Sequence, residues 1–170
     1  MELKFIPVKT SIQIQESIKI IGDSGIHMYE TMNLDHWYPP MTIKEFKEQQ
    51  KFKEFYLCKK ENKFIATFAI SNQDSSYPIP IWDNTQKAMF LSKLAVKPNI
   101  QHKGIGSECL TYIEILGRLR GKSKILLDSI EKHPHLKKFY LKNGYSFIKK
   151  SYVKNKRGKT WEIEQFLKNI

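Results

Sequence analysis

The stretch from Lys87 to Arg120 constrains this chain most. It holds an apolar run that stops at a proline, a turn with two glycines one residue apart, and then a helical pattern. Lys87 to Val96 reads as a strongly apolar strand, and Pro98 closes it because proline cannot donate to a ladder. Gln101-His102-Lys103-Gly104-Ile105-Gly106-Ser107-Glu108 follows. From Gly104 to about Arg120, the residues Ile105, Cys109, Leu110, Ile113 and Leu116 recur on one helical face, and Gly121 ends the helix. A strand feeding a glycine turn that opens a helix makes an anion site. The first N–H groups of the helix lack internal partners and carry partial positive charge toward whatever lies ahead. Glycine lets backbone approach phosphate oxygens, since no Cβ stands in the way. Gly104 and Gly106 can therefore cradle a pyrophosphate, with charge added by Lys103 and His102. The dinucleotide fingerprint needs a third glycine where Cys109 stands, and a P-loop ends in Gly-Lys before Ser or Thr, which this stretch lacks. On the glycines alone, a tight turn without ligand is the alternative.

The rest of the chain supplies the setting. Leu3 to Val8 reads as a first strand. Ser11 to about Tyr29 is a helix on Ile14, Ile18 and Ile21, weakened and open to a break at Gly22 and Gly25. A loop follows, Asn33-Leu34-Asp35-His36-Trp37-Tyr38-Pro39-Pro40. Thr42 caps a second helix over Ile43 to Gln50, with Glu45 completing a capping box. Glu54 to Lys59 and Phe64 to Ser71 form a hairpin around Lys60-Glu61-Asn62-Lys63. Ser71 to Gln86 is a long polar loop, of the length that often carries function. Lys124 to Ile130 is apolar enough for a central strand. Pro134 to Asn143 is a short helix with Pro134 in its first turn and Gly144 as its stop. Tyr145 to Val153 and Lys159 to Leu167 are strands around Asn155-Lys156-Arg157-Gly158. The order β-α-α-β-β-β-α-β-α-β-β predicts a mixed sheet covered by helices.

The 170 residues fit one domain over 1–170, and 41% apolar content supports a real core. Lys and Arg number 29 against 17 Asp and Glu, a net charge of +12. That charge suits an anionic partner or a soluble basic surface. It is densest at Lys149-Lys150 and Lys154-Asn155-Lys156-Arg157-Gly158-Lys159. Two cysteines, Cys58 and Cys109, have no metal-ligand spacing and give no disulfide framework. The N-terminal residues carry no signal-peptide apolar stretch, and no run reaches membrane-span length. A cytoplasmic protein without membrane contact is expected.

Two blocks carry a resemblance. Leu94-Ala95-Val96 with Pro98 and Gln101-x-x-Gly104-x-Gly106 resembles motif A of the GNAT superfamily of N-acetyltransferases. His133-Pro134-His135-Leu136-Lys137-Lys138-Phe139-Tyr140-Leu141-Lys142-Asn143-Gly144-Tyr145 resembles its motif B, where a helix ends in Tyr-x-x-x-Gly-Phe. The element order is also that of the family. The resemblance implies an α/β (α+β) GNAT fold: a mixed, mostly antiparallel sheet of about seven strands, about four flanking helices, and splayed central parallel strands. It implies acetyl-CoA as co-substrate, with backbone of Leu94, Ala95 and Val96 facing its acetyl and pantetheine parts. The N–H groups from Gln101 through His102, Lys103, Gly104, Ile105 and Gly106 to Ser107 would hold its pyrophosphate. Tyr140 matches the tyrosine that protonates the departing thiolate, a phenol being a competent general acid within hydrogen-bond reach. His133 falls where the family often has an asparagine that touches the pantetheine arm, a departure. His133 and His135 have no third ligand in view, so no metal is expected.

The second substrate is expected to be a primary amine of a small molecule or peptide, attacking the thioester directly. The amine arrives protonated, and a carboxylate, a histidine or a water chain must take its proton; that group and the amine's binding residues are sought in Asp35-His36-Trp37-Tyr38 and in Trp82-Asp83, where aromatic rings beside an acid can hold a cation. Asp128 and Glu131, at the end of the adjacent strand, are further candidates. Each aromatic also reads as a loop anchor, and Asp128 as a structural contact. The resemblance allows a homodimer, with no segment specifying an interface. Two other functions fit less well. One is a GNAT-fold protein that binds CoA without catalysis. The other is a nucleic-acid module using Tyr152, Lys154, Lys156, Arg157 and Trp161; no helix-turn-helix, zinc-finger or RNA-recognition signature supports it.

Overall fold

The computed structural model describes residues 3–74, 77–154 and 158–170. In chain order these form β1 (Lys4–Pro7), α1 (Ser11–Met32), α2 (Ile43–Gln50), β2 (Glu54–Lys60), β3 (Lys63–Ser71), β4 (Ala88–Val96), a 3-10 turn at Pro98–Ile100, α3 (Ile105–Leu119), β5 (Lys124–Ile130), α4 (Leu136–Lys142), β6 (Ser146–Lys154) and β7 (Thr160–Asn169). The strands join in the order β1-β2-β3-β4-β5-β7-β6. The pairs β1–β2, β2–β3, β5–β7 and β6–β7 are antiparallel, and β4–β5 is parallel. The expected mixed sheet of seven strands and four helices is therefore what the described residues form. Of the expected last turn, Asn155, Lys156 and Arg157 lie outside the described residues, as do Ser75 and Ser76 of the long loop.

The described residues fall into two compact units. The first runs to Ile70 and adds Lys93–Cys109; the second joins Ser71–Ser92 to Leu110–Ile170. In the first unit, α1 and α2 lie on the β1–β2–β3 sheet. Ile14, Ile20, Ile21, Phe46, Phe55, Leu57, Ala69 and Ala95 form its core. Burying each of the larger side chains stabilises by about 1.5–3 kcal/mol. Thr42 accepts from the Glu45 N–H while Glu45 accepts from the Thr42 N–H, so α2 starts with the expected capping box. Thr10 and Gln13 do the same for α1, a box the sequence reading did not anticipate.

One expectation fails here. α1 runs unbroken through Gly22 and Gly25 to Met32. Glycine in a helix interior costs up to about 1 kcal/mol relative to alanine, and its absent side chain is used for close approach. A Cβ on Gly25 would sit 2.5 Å from the Trp37 carbonyl oxygen, and one on Gly22 would sit 3.2 Å from the Pro40 Cβ. The two glycines make a dent in α1 into which the loop after it settles.

In the second unit, strand alternation sorts β5 into two faces. Leu126 clusters with Ala88 and Phe90, and Trp82 and Leu167 pack on them. On the other face lie the helices: Gly117 of α3 meets Ile125 and Met89, Lys168 of β7 bonds Glu114 of α3 at 2.8 Å, and Tyr140 of α4 packs on Phe166 with centroids 5.3 Å apart. α4 is shorter than expected. It begins at Leu136, so Pro134 precedes the helix and lies outside its first turn. Gly144 (φ 81) and Gly121 (φ 69) end α4 and α3 in the left-handed region, as anticipated.

Candidate active site

The first unit holds the end of β4 and the glycine turn. Parallel pairing with β5 spans Ala88↔Lys124 to Leu91↔Leu127 and ends there, although β4 runs on to Val96 and β5 to Ile130. Two residues later Lys93 takes φ 56, inside a strand. A non-glycine residue there is uncommon, and it bends β4 in the manner of a bulge. Beyond it Ala95 is buried in the core, while Leu94 and Val96 are half-buried.

The Val96 carbonyl accepts two side-chain donors, Gln101 Nε2 at 3.0 Å and Ser24 Oγ at 3.2 Å. Gln101 thus ties the turn to the strand that feeds it. His102 (φ 62) and Gly104 (φ 83) are both left-handed, a backbone pattern that turns N–H groups toward a common point. The Gly104 carbonyl accepts from the Glu108 N–H at 3.1 Å, so the helix starts here. Nothing lies within 4 Å of where a Gly104 Cβ would be. His102, Lys103 and Gly104 are exposed, Gly106 and Ser107 half-buried, and Ile105 is buried as the anchor. This open, cationic turn fits a pyrophosphate.

The same unit holds Asp35, His36, Trp37 and Tyr38. Trp37 packs on the core and on Gly25, and Tyr38 stacks on Tyr29 at 4.2 Å with rings 5° from parallel. The Tyr38 N–H donates to the Asp35 carbonyl at 3.0 Å, and His36 lies tilted against Trp37 at 5.6 Å. The Lys93 ammonium sits 5.2 Å from the Trp37 ring centroid. The cation–π position expected to receive an acceptor amine is held by the protein's own lysine.

The second unit holds Tyr140, Asp128, His133, Trp82 and Asp83. Tyr140 is 6% exposed, wedged among Phe139, Tyr145 and Phe166. Burial, and secondarily the Asp128 charge, push its phenol above the ordinary tyrosine value, so it stays protonated at neutral pH. Ser129, on the helix face of β5, is 6% exposed and its hydroxyl has no partner among the described residues. His133 is lowered, by burial first and by His135 second. Its Nδ1 accepts the His135 N–H at 3.3 Å, which leaves Nε2 to carry the proton of the neutral ring.

Trp82 serves as a cover on the Ala88, Phe90 and Leu126 cluster. Asp83 is 91% exposed on its side chain and pairs with Lys149 at 3.0 Å. Asp128, half-buried on the same face as Trp82, accepts the Tyr77 hydroxyl at 2.6 Å. Tyr77 was not among the expected site residues. It lies in the long polar loop, 51 positions from its partner, and no local spacing marks it. Ser24 and Lys93 were missed for the same reason.

Comparison with known proteins agrees with this architecture. The family described as "Acetyltransferase (GNAT) family" matches residues 24–145. A curated relative, the Bacillus subtilis (strain 168) "Uncharacterized N-acetyltransferase YesJ", is 25% identical over 95 residues, covering 55% of this chain and 53% of that protein. The chain thus aligns with about half the length of that relative. Among solved structures, an N-acetyltransferase from Staphylococcus aureus Mu50 superposes with a TM-score of 0.71 at 12% identity, covering 99% of both chains. A ribosomal-protein-alanine N-acetyltransferase from Brucella melitensis gives 0.69 at 12% identity, covering 100% of both; these likenesses speak to the fold. With strand, glycine turn and helix in their expected order, and the family match spanning both, the chain belongs to the GNAT family of acetyltransferases.

Proposed function

We propose that the chain moves an acetyl group from acetyl-CoA to a primary amine of a small molecule or peptide, by direct attack, as a single cytoplasmic domain over residues 1–170. The observation that carries this reading is the open glycine turn at the start of α3, where His102 and Gly104 are left-handed and nothing lies within 4 Å of where a Gly104 Cβ would be. N–H groups from Gln101 to Ser107 would hold the pyrophosphate, with Lys103 adding charge. Backbone N–H groups near Val96 would polarise the thioester carbonyl. His133 would offer Nε2–H in place of the family's asparagine amide.

The proton balance closes as follows. The acceptor ammonium loses one proton to solvent, and its nitrogen lone pair forms the new C–N bond as the C–S bond breaks. Sulfur leaves with the bonding pair and takes the Tyr140 proton. The surplus proton on the new amide nitrogen then restores the phenol. Tyr140 suits the role because its hydroxyl makes no hydrogen bond among the described residues and its raised proton affinity keeps it loaded. No step calls for a metal.

Calorimetric titration with acetyl-CoA tests the reading. Wild type should bind one equivalent, and Gly106→Trp should lose at least about 100-fold in affinity, since an indole cannot share the turn with phosphate. Absence of binding to wild type would sink the proposal.

A further inference from the structure

α4 carries Tyr140 and is poorly equipped to hold itself in place. It has seven residues, Leu136–Lys142, and makes no side-chain cap bond at its N-cap, His135. A lone helix that short is unstable in water, so its position is set by what grips it. Two lysines of the second unit do so. Lys137, in the first turn, reaches Glu164 at 2.7 Å, but its side chain is 45% exposed, and water competes for an ammonium that open. Lys168 grips the other end from β7, with its side chain only 24% exposed.

The Lys168 grip draws on several elements at once. Its Nζ donates to Glu114 Oε1 of α3 at 2.8 Å and to the Asn143 carbonyl at 2.8 Å. Asn143 is the residue that closes α4. Its backbone N–H donates to the Phe139 and Tyr140 carbonyls, and its side-chain amide donates to Phe139 again at 2.8 Å. The Tyr145 N–H adds a bond to the Tyr140 carbonyl at 3.1 Å. Gly144 (φ 81) leaves room for the lysine, since a Cβ there would stand 3.3 Å from Lys168 Cε. The same ammonium lies 5.5 Å from the centroid of the Tyr145 ring, and that ring meets Tyr140 edge-on at 5.9 Å. One half-buried cation thus bonds the closing residue of the helix and lies against the ring beside Tyr140.

Stability alone gives this pair little reason to exist. Glu114 is buried, and taking a carboxylate and an ammonium out of water costs about what their attraction returns. An apolar pair of equal volume would pack α3 on β7 as well. It would not bond the Asn143 carbonyl, where a positive charge also meets the negative end of the helix dipole.

We propose that Lys168 is a positioning residue for Tyr140. Glu114 anchors its ammonium, and the ammonium fixes the end of α4 so that the phenol stands where it can donate to sulfur. The inference rests on the acetyltransferase reading. It places the setting of Tyr140 on the last strand, 25 positions beyond Asn143, outside the motif that contains the tyrosine.

The test uses the full chain, acetyl-CoA and a panel of primary amines, with release of CoA thiol as the readout. Lys168→Met should lower kcat by about 10- to 100-fold, the scale for a small misplacement of a reacting group. Acetyl-CoA affinity by calorimetry should stay near that of wild type, and Lys168→Arg should recover part of the loss. In a Tyr140→Phe background, Lys168→Met should cost nothing further, because two residues that act as one unit are not additive. Lys168→Gln keeps a donor but cannot bridge both oxygens, and should lower kcat by about 3- to 10-fold. It carries the test if Lys168→Met does not fold. The same proportional loss in the wild-type and Tyr140→Phe backgrounds overturns the proposal. So does a lower melting temperature with kcat intact, since the grip would then be structural only. If wild type neither binds acetyl-CoA nor releases thiol with any amine, the acetyltransferase reading itself fails and the positioning role goes with it.

Discussion

The glycine turn of the first unit and the Tyr77–Asp128 tie of the second are built by opposite means. The turn is made of backbone. Its proposed working parts are N–H groups, two left-handed φ angles and an absent Cβ, all within seven consecutive residues. The tie is made of side chains that meet across 51 positions. Backbone sites need glycines at fixed spacing and so leave a local signature. Side-chain sites need only that the fold bring two residues together, and leave none. The two should also respond differently to substitution. Removing atoms should hurt the side-chain region, while adding them should hurt the backbone region.

The sharpest contrast comes from taking away one oxygen. Tyr140→Phe should lower kcat by about 10²- to 10⁴-fold, the range for a positioned general acid, with acetyl-CoA affinity near normal by calorimetry. Because burial raises the phenol, the alkaline limb of the wild-type rate should not fall in the ordinary tyrosine range. A Phe variant with undiminished turnover would take Tyr140 out of the mechanism.

Adding one carbon on the other side should come next in size. Gly25→Ala gains about 1 kcal/mol of helix propensity. Its Cβ meets the Trp37 carbonyl at 2.5 Å, and overpacking of that kind costs about 1–3 kcal/mol. A net loss in thermal unfolding, with altered amine KM, is the expected result. A rise in melting temperature would show that the loop yields freely. The smallest effect should come from deleting a side chain at the backbone site. Lys103 is exposed, so Lys103→Ala should weaken acetyl-CoA binding only a few-fold, on the order of 1 kcal/mol or less. A loss as large as that of Gly106→Trp would mean that side-chain charge, not backbone, holds the phosphates.

The same distinction explains what could be read in advance. α2 was legible to its ends because Thr42 and Glu45 write its start locally. β5 was legible because five of its seven residues are buried, an apolar demand written in consecutive positions. α1 was misjudged at Gly22 and Gly25 because the reason for those glycines is a loop that arrives 12 to 18 positions later. The positive φ of Lys93 carries no sequence mark at all, since lysine does not favour that region. At the candidate site, the turn and Tyr140 stood out through their spacing. Tyr77 could be found only once β5 and the loop beside it were in place.

The dent in α1 has a practical reading. The height at which Trp37 and Pro40 ride over the helix is set by what residues 22 and 25 lack. Graded replacements there would lift residues 35–38 in small steps without altering a single loop residue. The loop's position would then be adjustable from a helix it does not belong to, one methyl group at a time, and under the proposed function that adjustment is a handle on which amines are accepted.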